Sequence, residues 1–297
     1  MDIVEKVRFV RKLVLLSIFS DDELMDIFVV KGGSAIDLVY KLDSRASRDI
    51  DLSMAKDFTE EELADVSGRL KNAIQQTFAE NGYAILDFKM SPRPKKSAPL
   101  TMNDYWGGYE VQFKILNGEQ ADLIQQNVES ARRHAEVLGE DNAKIFTIDI
   151  SKYEHCQEKD SVEIDGYTVY VYTPKMLVVE KLRAICQQLP DYQHNNNRPN
   201  PRAKDFYDIA MLISHYGMTL TNADMDLIRC VFEKKRVELS LLQRISQNKD
   251  FFLKGLESLR ATLTPESLAG FDFDDCFTLV VLLSEQITAY EEQRAAG

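Results

Sequence analysis

At 297 residues, with 44% hydrophobic and 28% charged side chains, the chain has the make-up of a globular protein with room for one large or two modest domains. Its formal net charge of −12 excludes a general nucleic-acid coat, which needs a basic surface, but leaves room for a local basic patch. No apolar run approaches a membrane span, and Met1-Asp2-Ile3-Val4-Glu5-Lys6-Val7-Arg8 mixes charge into a helical pattern, so neither a membrane segment nor a signal peptide is expected. Cys156, Cys186, Cys230 and Cys276 are widely spaced and read as reduced thiols of a cytoplasmic protein. His134, His155, His194 and His215 are scattered and form no metal-ligand pattern.

In chain order, Val4, Val7, Val10, Leu13 and Leu16 give residues 2–19 the spacing of a packing helix. Ile27-Phe28-Val29-Val30 suits a short buried strand. Lys31-Gly32-Gly33-Ser34 then turns into a helical pattern that runs through Tyr40. The two glycines permit a tight turn and close backbone approach to a ligand, with N–H groups exposed at a helix start, where phosphate binds well. A second strand is expected from about Ser47 to Met54. Its alternation puts Ser47, Asp49 and Asp51 on one face, and Arg48, Ile50 and Leu52 on the other. Two carboxylates so close repel each other unless they hold a cation, and hard oxygen ligands are what Mg²⁺ prefers.

Thr59 with Glu62 three residues on is a capping box, opening a helix to about Glu80 that Asn81-Gly82 closes. Tyr83 to Phe88 reads as a strand and residues 91–104 as a loop. That loop, with Arg93, Lys95 and Lys96, is either a solvated connection or a contact for RNA or phosphate. Trp106 to Leu116 resumes a strand, Asn117-Gly118 turns, and Glu119 to Leu138 reads as an inserted polar helix. Lys144 to Ile150 is a further strand, and Val162 to Val171 a hairpin about Asp165-Gly166. Thr173-Pro174 opens a wholly helical remainder, so the domain boundary is placed near residue 172.

In the helix expected from Pro174 to Leu189, Val178, Leu182, Ile185 and Leu189 form an apolar stripe, with Lys181 on its flank. From that margin an ammonium group can reach into a cleft, although a plain surface lysine fits as well. Arg202-Ala203-Lys204-Asp205-Phe206-Tyr207-Asp208-Ile209 opens the next helix, with Lys204 and Asp208 spaced to pair along it. Helices near 222–240, 247–262 and 273–293 read as a packing bundle without a chemical motif.

A Gly-Gly-Ser turn, a helix and then Arg45-x-Ser47-x-Asp49-Ile50-Asp51-Leu52 resembles the first motif of DNA polymerase β-like nucleotidyltransferases. Within that superfamily the chain resembles the AbiEii/AbiGii toxins of type IV toxin–antitoxin systems. Ile148-Asp149-Ile150-Ser151 before a hairpin, Glu180-Lys181-Leu182-Arg183-Ala184, and Arg202-x-Lys204-Asp205-x-Tyr207-Asp208 follow in that family's order. The resemblance covers about residues 27–213.

It implies an α/β (α+β) nucleotidyltransferase domain with a mixed sheet over residues 1–172, carrying a helical insert near 119–138. A helical domain over 173–297 would close the nucleotide cleft. The implied activity is Mg²⁺-dependent transfer of a nucleoside monophosphate from an NTP, with Mn²⁺ as the alternative ion. Asp49, Asp51 and Asp149 are the implied metal ligands and catalytic residues, with Asp122 as the rival third acid. Gly32, Gly33, Ser34, Ser47, Lys181, Lys204 and Asp205 are the implied substrate contacts. The implied acceptor is RNA, the 3′ end of tRNA, and the implied partner a cognate antitoxin. Two other readings stay open: transfer to a small molecule, as in antibiotic nucleotidyltransferases, which the acidic charge favours, and a non-catalytic nucleotide- or protein-binding module of the same fold.

Overall fold

The computed structural model describes residues 3–42, 49–94, 104–139, 142–194 and 200–296. Among these, two compact units follow each other along the chain, one ending at Val171 and the other beginning at Tyr172. Ser47, Arg45 and Arg48 of the first motif lie outside the described residues, as do Lys95 and Lys96.

The first unit is built on a mixed sheet of seven strands: β1 Val29–Lys31, β2 Ile50–Ser53, β3 Tyr83–Arg93, β4 Gly108–Asn117, β5 Ile145–Ser151, β6 Lys159–Ile164 and β7 Tyr167–Tyr172. Their spatial order is β3-β4-β5-β2-β1-β7-β6. The central strands come from the two motif segments: β2 runs antiparallel to β1 and parallel to β5. Asp165 and Gly166 both take positive φ, as a tight primed hairpin turn requires.

One sheet face is apolar. Val30, Leu52, Ile150 and Tyr109 stand in one lateral row, with Ile50, Ile148 and Val111 in the next, and all are buried. α1 (Ile3–Phe19), α2 (Asp22–Ile27) and α3 (Glu60–Glu80) belong to the same unit. Phe78 of α3 meets Phe113 of β4 edge-on at 5.8 Å, which seats α3 on that apolar face. Thr59 and Glu62 complete the capping box reciprocally.

Among the departures from the sequence expectation, three lie in the first unit and one in the bundle, where the helix expected near 247–262 is short pieces at 246–248, 249–253 and 256–260. β3 continues through Ser91-Pro92-Arg93 where a loop is expected. It can do so because β3 is an edge strand, where a proline's missing N–H breaks no ladder. The polar helix expected over 119–138 is three short pieces: 118–120, 123–126 and α4 (Val128–His134). Asn127 interrupts it by leaving helical geometry and capping the Ser130 N–H. The turn after β1 is one α-turn, Gly32–Ser34, followed by π-helix over Ala35–Val39.

The second unit is helical: α5 Pro174–Cys186, α6 Ala203–Tyr216, α7 Met225–Lys234 and α8 Phe273–Ala296, with short helical turns between. Thr173 caps α5 through the Met176 N–H, and Pro174 occupies its first turn. Phe206 of α6 packs between Phe252 and Phe277, with ring centroids 4.8 and 5.6 Å away. Cys186 and Cys276 are buried thiols. Among the described residues no helix is long and apolar enough to cross a membrane.

Candidate functional site

Residues paired across neighbouring strands point to the same sheet face. On the face opposite α3, Lys31 of β1 is the register partner of Asp51 of β2, and Asp51 that of Asp149 of β5. Asp149 in turn pairs with Glu110 of β4. A lateral row of three carboxylates therefore crosses the centre of the sheet, with a lysine at one end. Neighbouring strands lie about 4.8 Å apart, so the row stores repulsion that a cation relieves.

Gly32 fits this row in shape. Its φ of +62° is in the left-handed region, and a Cβ added there would stand 2.4 Å from Asp51 Oδ2. The turn thus lays bare backbone against the Asp51 carboxylate, which only glycine permits. Asp49 lies just before β2 and is exposed.

Ser34 is fully buried. Its hydroxyl donates to the Asp49 carbonyl at 2.8 Å and receives Arg11 Nη2 at 3.2 Å. Arg11, 1% exposed on α1, also pairs with Asp37. The serine side chain is thus committed to fixing the turn to the start of β2, which leaves its backbone N–H as the group a phosphate could use.

Two cations stand at the row, and Arg93 pairs with its carboxylates. Lys31 Nζ faces the buried Glu154 at 3.4 Å. Arg93, the last residue of β3, donates Nη1 to Asp149 and lies 3.2 Å from Glu110 through Nη2. Asp51 and Asp149 suit a hard divalent cation in donor type and register. Among the described residues, however, no three His, Cys, Asp or Glu side chains converge closely enough to hold a metal ion. Arg93 is the cation that Asp149 holds. Asp122 lies on the segment between β4 and β5, in a turn before the short helix at 123–126, and is exposed.

At the sheet's end, Asp57 accepts from Lys152, Tyr109 and Tyr153. Burial raises its pKa, but the Lys152 and Tyr109 hydrogen bonds outweigh that and hold the carboxyl below its usual range.

In the helical unit Lys181 is buried, 3% exposed, and so is not a plain surface lysine. Its Nζ donates to Asp205 Oδ1 at 2.9 Å and to Asp208 Oδ2 at 2.7 Å. Asp208 therefore joins α6 to α5 instead of serving only as a local partner for Lys204. Arg202, in left-handed backbone before α6, also donates to Asp205. Burial pushes the Asp205 pKa up, but the charges of Arg202 and Lys181 overcome it and hold the carboxyl well below the usual range.

Arg11, Glu110 and the role of Arg93 were not foreseen. A charged residue inside the apolar run of α1 was the available signal for Arg11. Nothing local marks Glu110, because its place in the row is set by strand register alone.

A family model described as "Nucleotidyl transferase AbiEii toxin, Type IV TA system" matches residues 14–275, extending past the motif-bearing 27–213 into the bundle. JHP933 from Helicobacter pylori is similar in structure, with a TM-score of 0.50 and 18% identity, covering 100% of this chain and 97% of that one. MenT4, a nucleotidyltransferase toxin from Mycobacterium tuberculosis, has a TM-score of 0.50 and 11% identity, covering 98% of this chain and 87% of its own. At such identities the two structures speak to the fold. No curated protein matches.

Proposed function

The chain belongs to the AbiEii nucleotidyl transferase toxin family, and from that premise we propose Mg²⁺-dependent transfer of a nucleoside monophosphate from an NTP to RNA, at the 3′ end of tRNA. Membership makes the chain a nucleotidyltransferase of a toxin class. The metal, the nucleotide contacts and the acceptor are the proposal. The observation that carries it is the register of Asp51 with Asp149 on adjacent strands, with the Gly32 turn packed on Asp51.

In this reading Asp49, Asp51 and Asp149 hold Mg²⁺, or Mn²⁺ in its place. The bound ion would neutralise triphosphate charge and favour ionisation of the attacking hydroxyl. Gly32, Gly33 and Ser34 offer backbone N–H groups to the β- and γ-phosphates, and Ser47 adds a hydroxyl. Such transfer depends on in-line placement and charge neutralisation more than on covalent chemistry. Lys204 and Asp205 on α6 are the helical unit's proposed substrate contacts. Lys181 acts by positioning Asp205 and Asp208, since its ammonium is already satisfied by both. In this reading residues 1–172 form the nucleotidyltransferase domain that carries the chemistry, and 173–297 a helical domain. A cognate antitoxin is the expected protein partner, and the cytoplasm the expected setting.

Incubation with each labelled NTP, Mg²⁺ and total tRNA tests the acceptor. Label on RNA from at least one NTP is expected. Label appearing only on small molecules would move the acceptor to the antibiotic type.

A further inference from the structure

We propose that Arg93 is a built-in competitor for the cation position: its guanidinium bridges Asp149 and Glu110, and metal entry must release it from Asp149. The inference rests on the metal-dependent reading above and concerns two residues that reading does not use.

The placement follows from the sheet. Arg93 is the register partner of Gly108, two residues along β4 from Glu110 and so on the same face. From that position the guanidinium reaches both acids. Its two terminal nitrogens then divide between Asp149 and Glu110, which are themselves register partners. A planar, two-pronged cation fits two side-by-side carboxylates better than an ammonium would. Glu110 is 9% exposed while the Arg93 side chain is 51% exposed. The buried acid is thus the fixed anchor and the arginine the movable part. Asp149 is thus committed to the guanidinium. When a divalent cation takes Asp149, Arg93 keeps Glu110 and its other nitrogen becomes available to a phosphate oxygen.

The opposite role is physically distinct. If Arg93 only held Asp149 in a metal-ready rotamer, its removal would weaken metal binding. The test is titration of the full-length protein with Mn²⁺ alone, following free Mn²⁺ by its spin resonance, for wild type, Arg93→Ala, Arg93→Gln and Asp51→Asn. Competition predicts affinity raised about tenfold in both Arg93 variants, the size expected for one half-exposed charge under water-like screening. Unchanged or weaker binding in both overturns the proposal. Asp51→Asn separates the two levels. If it loses Mn²⁺ while the Arg93 variants match wild type, only the competitor role fails. If no variant binds Mn²⁺, the metal-dependent reading fails with it. Melting curves without metal confirm that each variant is folded; Arg93→Gln keeps the test open should Arg93→Ala not fold.

Discussion

Gly32 carries two constraints at once, a left-handed backbone and a side of the turn pressed on Asp51. Gly32→Ala should destabilise the protein by about 1–3 kcal/mol through backbone strain and also displace the Asp51 carboxylate, so transfer activity falls more than stability does. Gly68, exposed within α3 with nothing near its absent Cβ, is the matched control. Gly68→Ala should stabilise by about 0.8–1.0 kcal/mol and leave transfer unchanged. Denaturant melts and initial rates on both variants check this; equal effects of the two substitutions would deny any special role to the turn. At Lys181 the expectation follows from burial. Lys181→Ala leaves Asp205 and Asp208 without their shared ammonium in a dry setting, and should cost about 3–5 kcal/mol. Unchanged stability with weakened NTP affinity, seen by calorimetry, would instead return Lys181 to direct phosphate contact. Acid should probe the same network. Asp205 has a depressed folded pKa, so its contribution is complete above the unfolded carboxylate value of about 3.9 and drains away as pH falls below it.

Among the elements, the segment between β4 and β5 is held by charge more than by core. Asp87, in left-handed backbone at a register break in β3, receives Arg132 of α4 at 2.8 Å and Lys114 of β4 at 2.9 Å. The Arg132 hydrogen bonds, opposed by partial burial and helped by Lys114, bring its carboxyl down to about 2. Beneath lie Leu86, Leu116 and Ala131 as a small apolar cluster. Asp87→Asn should loosen residues 118–134 first, raising their amide exchange while β2 and β5 stay protected. In wild type the same loosening should appear as pH drops from about 4 through 2 and be absent above pH 5. Exchange that rises equally across the sheet would contradict a local role. This segment also shows where sequence reading stops. Its polar composition fits a helix, yet Asn127 caps rather than continues, a choice between two local hydrogen-bond patterns that composition does not make. Thr59/Glu62, Thr173-Pro174 and Asp165-Gly166 were legible because each fixes its own backbone. The strand reach of Ser91-Pro92-Arg93 was not, since a proline is tolerated only once β3 is known to be an edge.

For the molecule as a whole, the α/β class followed by helices was readable from periodicity and turn chemistry, and the motif order pointed to the family. What the sequence did not contain was the lateral register. Asp51 and Asp149 are far apart in the chain, and Glu110, Arg93 and Arg11 come to the site only through strand pairing and helix packing. The net charge of −12 makes any RNA contact a local one, so acceptor binding should weaken with salt at the shallow slope of a few phosphate contacts, which filter binding across a salt series would show. The central claim is that the carboxylates on this sheet face drive nucleotidyl transfer. Its most direct measurement compares wild type with Asp51→Asn for label moved from NTP to tRNA in Mg²⁺, with melting curves confirming equal folding. The account predicts transfer by wild type and a loss of at least about a hundredfold in Asp51→Asn, as expected when a group acting on transition-state charge is removed. Transfer by Asp51→Asn at the wild-type rate would contradict it.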